Sequence, residues 1–135
     1  MENNKDSYER LQEDIRELAT PGIETWQNKY RDKDYDIEFT INEFTCVCPK
    51  TGMPDFAVLR IRYGPDERCI ELKSLKLYIN FYRDVGIFHE HAVNKILEDL
   101  VAACSPKWMR IEGEFNMRGG IRTIVRAEYR KGTSA

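Results

Sequence analysis

No run of apolar residues in this 135-residue chain approaches the roughly 18 that a membrane-spanning helix needs. The opening residues Met1-Glu2-Asn3-Asn4-Lys5-Asp6 are polar and mixed in charge, unlike a secretory or transit leader. The expected setting is therefore cytoplasmic, with the four cysteines reduced. An excess of basic residues is also missing. Lys and Arg total 21 against 23 Asp and Glu, for a net charge of −2, which argues against a broad nucleic-acid surface. Any basic patch must be local and suits a small anionic ligand. There is no G-x-G-x-x-G turn, so a dinucleotide would not be held in the Rossmann manner. No serine sits in a G-x-S-x-G elbow, which leaves a Ser-His-Asp triad unsupported. Cys46, Cys48, Cys69, His89 and His91 invite a zinc reading, but none of the cysteines forms a C-x₂₋₄-C knuckle, so no metal is expected. Repeats, linkers and low-complexity tracts are absent.

What remains is an ordinary globular composition, 41% apolar and 33% charged, long enough for one domain with a real core. Tyr8, Leu11, Ile15 and Leu18 recur at helical spacing behind Ser7, and Pro21-Gly22 ends that predicted N-terminal helix. Tyr35, Ile37, Phe39 and Ile41 alternate with polar residues, as do Ala57, Leu59, Ile61 and Tyr63; both runs read as half-buried strands. Two amphipathic helices follow, one carrying Leu75, Tyr78, Ile79 and Tyr82, the other Val93, Ile96, Leu97, Leu100 and Val101 and starting after His89-Glu90. Met109, Ile111, Gly113, Phe115 and Met117 form a third alternating run, and Ile121 to Tyr129 a fourth, joined by the hairpin signal Gly119-Gly120. The order β-β-α-α-β-β predicts an α+β fold, an antiparallel sheet with both helices on one face. Residues 1–20 read as a tail and helix, 21–130 as one domain, and 131–135 as a frayed tail.

The segment from Cys48 to Asp55 places a thiol and a carboxyl on either side of a turn. Pro49, Gly52 and Pro54 restrict or permit its conformation, and Lys50 adds positive charge beside the sulfur. A nearby cation lowers a thiol pKa, and the thiolate is the nucleophile. The carboxyl could hand a proton to whatever the sulfur attacks. The alternative is a Pro/Gly-rich loop that happens to contain a cysteine. Lys73, Lys76 and Arg83 share one side of their helix, a stripe that suits phosphates or simply faces solvent. Glu90, at the start of the second helix, either complements the helix dipole or accepts two hydrogen bonds from the N1–H and exocyclic amine of a purine-like edge.

Phe44 to Ala57 resembles the nucleophile segment of the NADPH-dependent 7-cyano-7-deazaguanine reductases, the nitrile reductases of queuosine biosynthesis. Glu71-Leu72-Lys73-Ser74-Leu75-Lys76-Leu77-Tyr78 is similar to that family's E-x-K-x-x-K motif, Phe88-His89-Glu90 to its substrate segment, and Arg118-Gly119-Gly120-Ile121 to its hairpin. The resemblance runs from about Pro21 to Tyr129 and implies a unimodular tunnelling fold that assembles into rings, as two pentamers face to face. It implies that Cys48 adds to the nitrile to give a thioimide and that Asp55 protonates the nitrogen. Two NADPH then complete reduction to the aminomethyl product. It further implies that His89 and Glu90 hold the base, that Ile70, Glu71 and Leu72 line its pocket, and that Lys73, Lys76, Arg83 and Arg118 face NADPH. On the same footing Cys46 faces away from Cys48, and Cys69 and Cys104 are packing residues. Neither nucleic acid nor membrane is an implied partner. Ala92 departs from relatives that carry a cysteine there, so a protective disulfide from that position is unavailable. Two other readings stand beside this one: a zinc-dependent relative of GTP cyclohydrolase I, and a purine-binding module without catalysis.

Overall fold

A computed structural model describes residues 12–132. β1 (Thr25–Gln27) pairs antiparallel with β4 (Arg68–Ile70) in a short ribbon. β2 (Ile37–Val47), β3 (Pro54–Gly64), β5 (Trp108–Arg118) and β6 (Ile121–Arg130) form an antiparallel sheet in the order β2-β3-β5-β6. Two helices, α1 (Leu72–Phe81) and α2 (His89–Cys104), cover its inner face. The alternation in the sequence is the cause: Ala57, Leu59, Ile61 and Tyr63 of β3 and Met109, Ile111 and Phe115 of β5 are buried against Leu75, Tyr78, Val93, Ile96 and Leu100 of the helices. Each such side chain contributes about 1.5–3 kcal/mol when fully withdrawn from water.

A polar seam runs between the helices. Tyr78 donates to Asp99 at 2.6 Å, its hydroxyl meets that of Tyr82 at 2.9 Å, and Lys95 donates to Asp99 at 3.1 Å. These bonds allow a lysine and an aspartate to sit inside a largely apolar interface. α2 stops at Ser105, which adopts φ 44°, a left-handed cap that Pro106 cannot extend.

Two β-bulges bend the sheet at one end. In β2 the register shifts between Ile41 and Phe44, and in β5 between Phe115 and Arg118. Each inserts one extra residue and inverts the alternation beyond it. Asn42 and Glu43 are consecutive and exposed, and Phe44 and Cys46 then turn inward. Asn116 and Met117 are likewise exposed, so Met117 does not take the inward position its alternation predicts, and the neighbouring Arg118, itself exposed, reaches over to Asp55.

Other expectations also change. Residues 12–18 form a turn and a single 3₁₀ turn at Ile15–Glu17 rather than the end of an α-helix; Ser7, Tyr8 and Leu11 lie outside the described residues. Such a short segment cannot sustain a helix alone, and its conformation is fixed by contacts to α2. β2 begins at Ile37, because the Tyr35 hydroxyl is turned aside to donate to Asn28 at 2.6 Å. The ribbon of β1 and β4 carries no alternating pattern and was not predicted. α2 begins at His89 itself, with Phe88 at its N-cap. Lys131 is not frayed: its backbone N–H donates to Lys107 and its ammonium meets Asp66 at 2.7 Å. With Arg31 on the same carboxylate, Asp66 is held down to about 2.

Gly113 sets how closely α2 approaches the sheet. A Cβ there would lie 2.8 Å from Val93 Cγ2, 3.0 Å from the Phe115 ring and 3.3 Å from Leu59. Valine has little rotameric freedom in a helix, so the clash must displace backbone. Gly113→Ala is expected to destabilise the fold by about 1–3 kcal/mol, read as a lower urea midpoint at unchanged slope.

Candidate active site

Asp55 is the second residue of β3, on the same face as Ala57 and Leu59, and only 5% of it is exposed. A buried carboxylate requires charged or hydrogen-bonding partners. It has two. The Arg118 Nε lies 2.8 Å from Oδ1, and the His89 Nε2 lies 3.2 Å from Oδ2. Arg118 reaches it because the β5 bulge turns that side chain toward Asp55, and its other end donates to the Pro54 carbonyl. His89 comes from the first turn of α2 and stacks flat on Phe115, with centroids 3.8 Å apart and planes 8° from parallel. Val93, one turn further along α2, sits over Gly113, two residues back along β5. The close approach at the glycine therefore delivers the imidazole to the carboxylate.

Cys48 lies just past the end of β2, in a turn closed by Cys48 N–H to Met53 O (2.8 Å) and Gly52 N–H to Cys48 O (2.9 Å). Gly52 has φ 72°, which glycine adopts without strain. The turn aims the Thr51 hydroxyl and the backbone N–H groups of Thr51 and Lys50 at the sulfur, lowering its pKa against the opposing effects of burial and the Asp55 charge. Lys50 contributes its backbone N–H to this stabilisation. A concave set of N–H donors stabilises an anion independently of any formal charge.

Cys46 behaves in the opposite way. It is fully buried, its sulfur lies 4.0 Å from the Ile87 carbonyl, and burial pushes its thiol up to about 12. Residues two apart along a strand share a face, so the strand itself does not separate the two cysteines. They part because β2 ends at Val47, before Cys48. Cys69 and Cys104 are buried packing residues, with Cys104 also raised to about 12.

The segment before α2 is tied to the same end of the sheet. Val47 N–H donates to Val85 O and Ile87 N–H donates to Val47 O, a parallel bridge that sets His89 and Glu90 beside the Cys48 turn. Glu90 is exposed. Cys48, Asp55, His89 and Arg118 thus form one cluster, with Glu90 on its rim.

The remaining expected site residues lie elsewhere. Ile70 is buried, and its N–H donates to the Tyr63 hydroxyl at 2.9 Å. Tyr63 is eight residues from Asp55 along β3, about 26 Å at strand rise. Glu71 caps α1, accepting from Lys73 N–H at 2.6 Å and Ser74 N–H at 2.8 Å, and these bonds lower its pKa. Leu72 is exposed and lines, with Lys76 and Arg83, an open groove of about 710 Å³ between α1 and β2. Lys73 is exposed on the same helix. Glu38 and Glu43 stand on the opposite wall, so the groove is less purely cationic than the helix stripe alone suggests. Its Leu72, Lys76 and Arg83 offer an apolar contact and two cations, a donor set that fits a phosphate-bearing dinucleotide. Thr51 and Phe115 are further members of the nucleophile cluster. Their types and spacing carry no signal apart from the turn and the strand that present them.

Among the described residues no helix is long and apolar enough to cross a membrane, and no three His, Cys, Asp or Glu side chains gather as a metal site. The family model for QueF-like proteins matches residues 54–134, a span holding Asp55, His89, Glu90 and Arg118 but beginning after Cys48. The NADPH-dependent 7-cyano-7-deazaguanine reductase of Nitrosococcus oceani is 59% identical over 109 residues, covering 81% of this chain and 84% of that protein. The enzyme of the same name from Elusimicrobium minutum is 54% identical over 111 residues, covering 82% and 83%. The crystal structure of the archaeosine synthase QueF-Like in the apo form superposes with a TM-score of 0.66 at 22% identity, over 73% of this chain and 96% of that one. That likeness carries the fold, the expected tunnelling-fold arrangement.

Thr51→Val removes the hydroxyl, and with it the 3.2 Å bond it accepts from Met53 N–H, but leaves both backbone bonds that close the turn. The inflection in the iodoacetamide reaction rate of Cys48 against pH should move upward, since the thiolate loses the largest of the contributions that lower its pKa. Mass spectrometry of the alkylated peptide assigns the label, which should fall on Cys48 and leave Cys46 unmodified.

Proposed function

This chain belongs to the QueF-like family of NADPH-dependent 7-cyano-7-deazaguanine reductases, and we propose that it reduces the nitrile of 7-cyano-7-deazaguanine to 7-aminomethyl-7-deazaguanine in queuosine biosynthesis. The observation that carries the reading is the pairing of a stabilised thiolate at Cys48 with a buried, doubly partnered carboxylate at Asp55. A nitrile is a modest electrophile, and attack on its carbon places negative charge on nitrogen. Thiolate addition therefore needs a proton delivered to that nitrogen as the C–S bond forms.

Cys48 supplies the sulfur electron pair, and the product of addition is a thioimide with one N–H. Asp55 supplies the proton. Arg118 occupies one carboxylate oxygen at 2.8 Å and His89 the other at 3.2 Å, so the imidazole is placed to relay a proton to Asp55 as the C–S bond forms. A proton moving from His89 to Asp55 also removes the negative charge that opposes the Cys48 thiolate, so acid and nucleophile become competent together. NADPH, held by the cations named below, would supply the two hydrides that separate a nitrile from an amine, one per molecule, and the amine nitrogen takes its last proton from the same His89–Asp55 pair. The departing sulfur is stabilised by the same Thr51 and main-chain donors that favoured the thiolate at the start. Glu90 accepts from the N1–H and exocyclic amine of the base, with His89 beside it. Lys73, Lys76 and Arg83 face the NADPH phosphates, with Arg118 at the reactive end.

Ile70, Glu71 and Leu72 cannot meet His89 and Glu90 across the length of one β3 strand. A second copy of the chain supplies them, and the free edges of β2 and β6 are where copies join. The assembly is a ring, and by family resemblance two pentamers face to face. One catalytic domain spans residues 21–130, and the setting is the cytoplasm.

Incubation with the nitrile but no NADPH should place one substrate mass on Cys48. Asp55→Asn should slow that adduct by roughly 10²–10⁴-fold, the usual worth of a positioned acid. Cys48→Ala should abolish nitrile-dependent NADPH oxidation; an adduct on Cys46 or persisting oxidation would sink the assignment. Native mass spectrometry should give ten chains per particle, and a monomer with full activity would exclude the shared site.

A further inference from the structure

We infer that Gln12, from the segment ahead of the tunnelling fold, is a positioning residue for the turn that presents His89 and Glu90. The inference rests on the proposed role of that turn in holding the base. Three contacts carry it. Gln12 Nε2 donates to the Gly86 carbonyl at 3.2 Å, and its Oε1 accepts from the Phe88 N–H at 3.1 Å. The same oxygen meets the His91 Nδ1 at 2.8 Å, so His91 is the donor in that bond. Residues 86, 88 and 91 flank His89 and Glu90 on both sides. One side chain therefore grips the whole turn from a position 74 to 79 residues away in sequence.

The α2 N-terminus needs such a grip. Its N-cap is Phe88, which has no side-chain acceptor to offer the first-turn N–H groups. Serine or aspartate usually fixes this geometry locally; here the distant Gln12 binds the N-cap's own N–H and the His91 ring instead, as the third-position side chain of a capping box binds back to the cap. That segment is itself anchored to the side of α2. Both Arg16 guanidinium edges meet the Glu98 carboxylate, Nε at 3.2 Å, and the buried Lys95 ammonium donates to the Arg16 carbonyl at 2.9 Å. Lys95 in turn belongs to the Asp99–Tyr78 seam between the helices. The strap from Gln12 to Arg16 thus spans α2 from its first turn to its middle. It couples the orientation of the base-holding turn to the rigid helix pair without touching Cys48 or Asp55.

Gln12→Ala is the test, made on the full chain. The KM for the nitrile should rise about three- to tenfold, the worth of one to two hydrogen bonds, with kcat within about twofold. The melting temperature and the alkylation rate of Cys48 should be unchanged. Gln12→Glu keeps the acceptor for Phe88 and His91 and should recover most of the loss, whereas Gln12→Leu should not. An unchanged KM in the alanine variant, or equal KM values for the glutamate and leucine variants, overturns the inference. Two readouts do not depend on catalysis. Amide exchange at Phe88 should accelerate in Gln12→Ala, and the ¹⁵N signals of His91 should lose their Nδ1–H bias. If wild-type protein fails to turn over the nitrile, the proposed function falls, and these two readouts still decide on the clamp: no change in either overturns it.

Discussion

A carboxylate inside the fold dictates the rest of the site. Asp55 is placed there by the pairing of β2 and β3, which sets it opposite Cys46 on the face that the helices cover. A buried carboxylate left without partners costs several kcal/mol. Arg118 and His89 resolve this from two directions, one from the β5–β6 hairpin and one from the start of α2. Each partner arrives only because a separate backbone irregularity allows it, a bulge for the arginine and a side-chain-free position at Gly113 for the helix that carries the histidine. The fold thus spends its deviations from regularity at one end of the sheet, where chemistry needs side chains re-aimed.

Much of the architecture was legible in the sequence. Period-two runs located four strands, and period-3.6 runs located both helices down to the buried set Leu75, Tyr78, Ile79 and Tyr82. The motif around Cys48 and Asp55 marked a thiol and a carboxyl that do converge. What the pattern could not carry was parity. Alternation read forward from Phe39 or Met109 assumes an unbroken ladder, and one inserted residue in each strand inverts it. Met117 was therefore expected inside and is exposed, while Arg118, expected at a cofactor, is in contact with Asp55. The contact between Gln12 and Phe88 was illegible for a different reason: a glutamine in a polar segment carries no sign of a partner 76 residues away.

The placement of Ile70 to Leu72 follows from the same strand geometry. β3 carries Asp55 at one end and Tyr63 near the other, and the motif that resembles a substrate pocket is anchored to Tyr63. One chain presents a groove along α1 and β2 that starts at Leu72, far from Asp55, and runs to Glu43 and Arg83, two residues short of the Val85–Val47 bridge beside Cys48. Among the described residues the outer edges of β2 and β6 carry no further strand, and each presents unpaired backbone groups.

The contrast between Cys46 and Cys48 shows how little sequence distance a reactive site requires. Both thiols sit near the same carboxylate, and the negative charge of Asp55 opposes ionisation of each. Desolvation is the leading cause at Cys46, where the strand keeps backbone donors committed to the ladder and none faces the sulfur. At Cys48 the ladder has ended, and the N–H groups of Lys50 and Thr51 are released from strand pairing into a turn that points them inward. Strand termination is thus what separates a thiol with a lowered pKa from a packing cysteine two residues away. Pro49 and Pro54 enforce it, since neither carries the N–H that would let the two strands pair further.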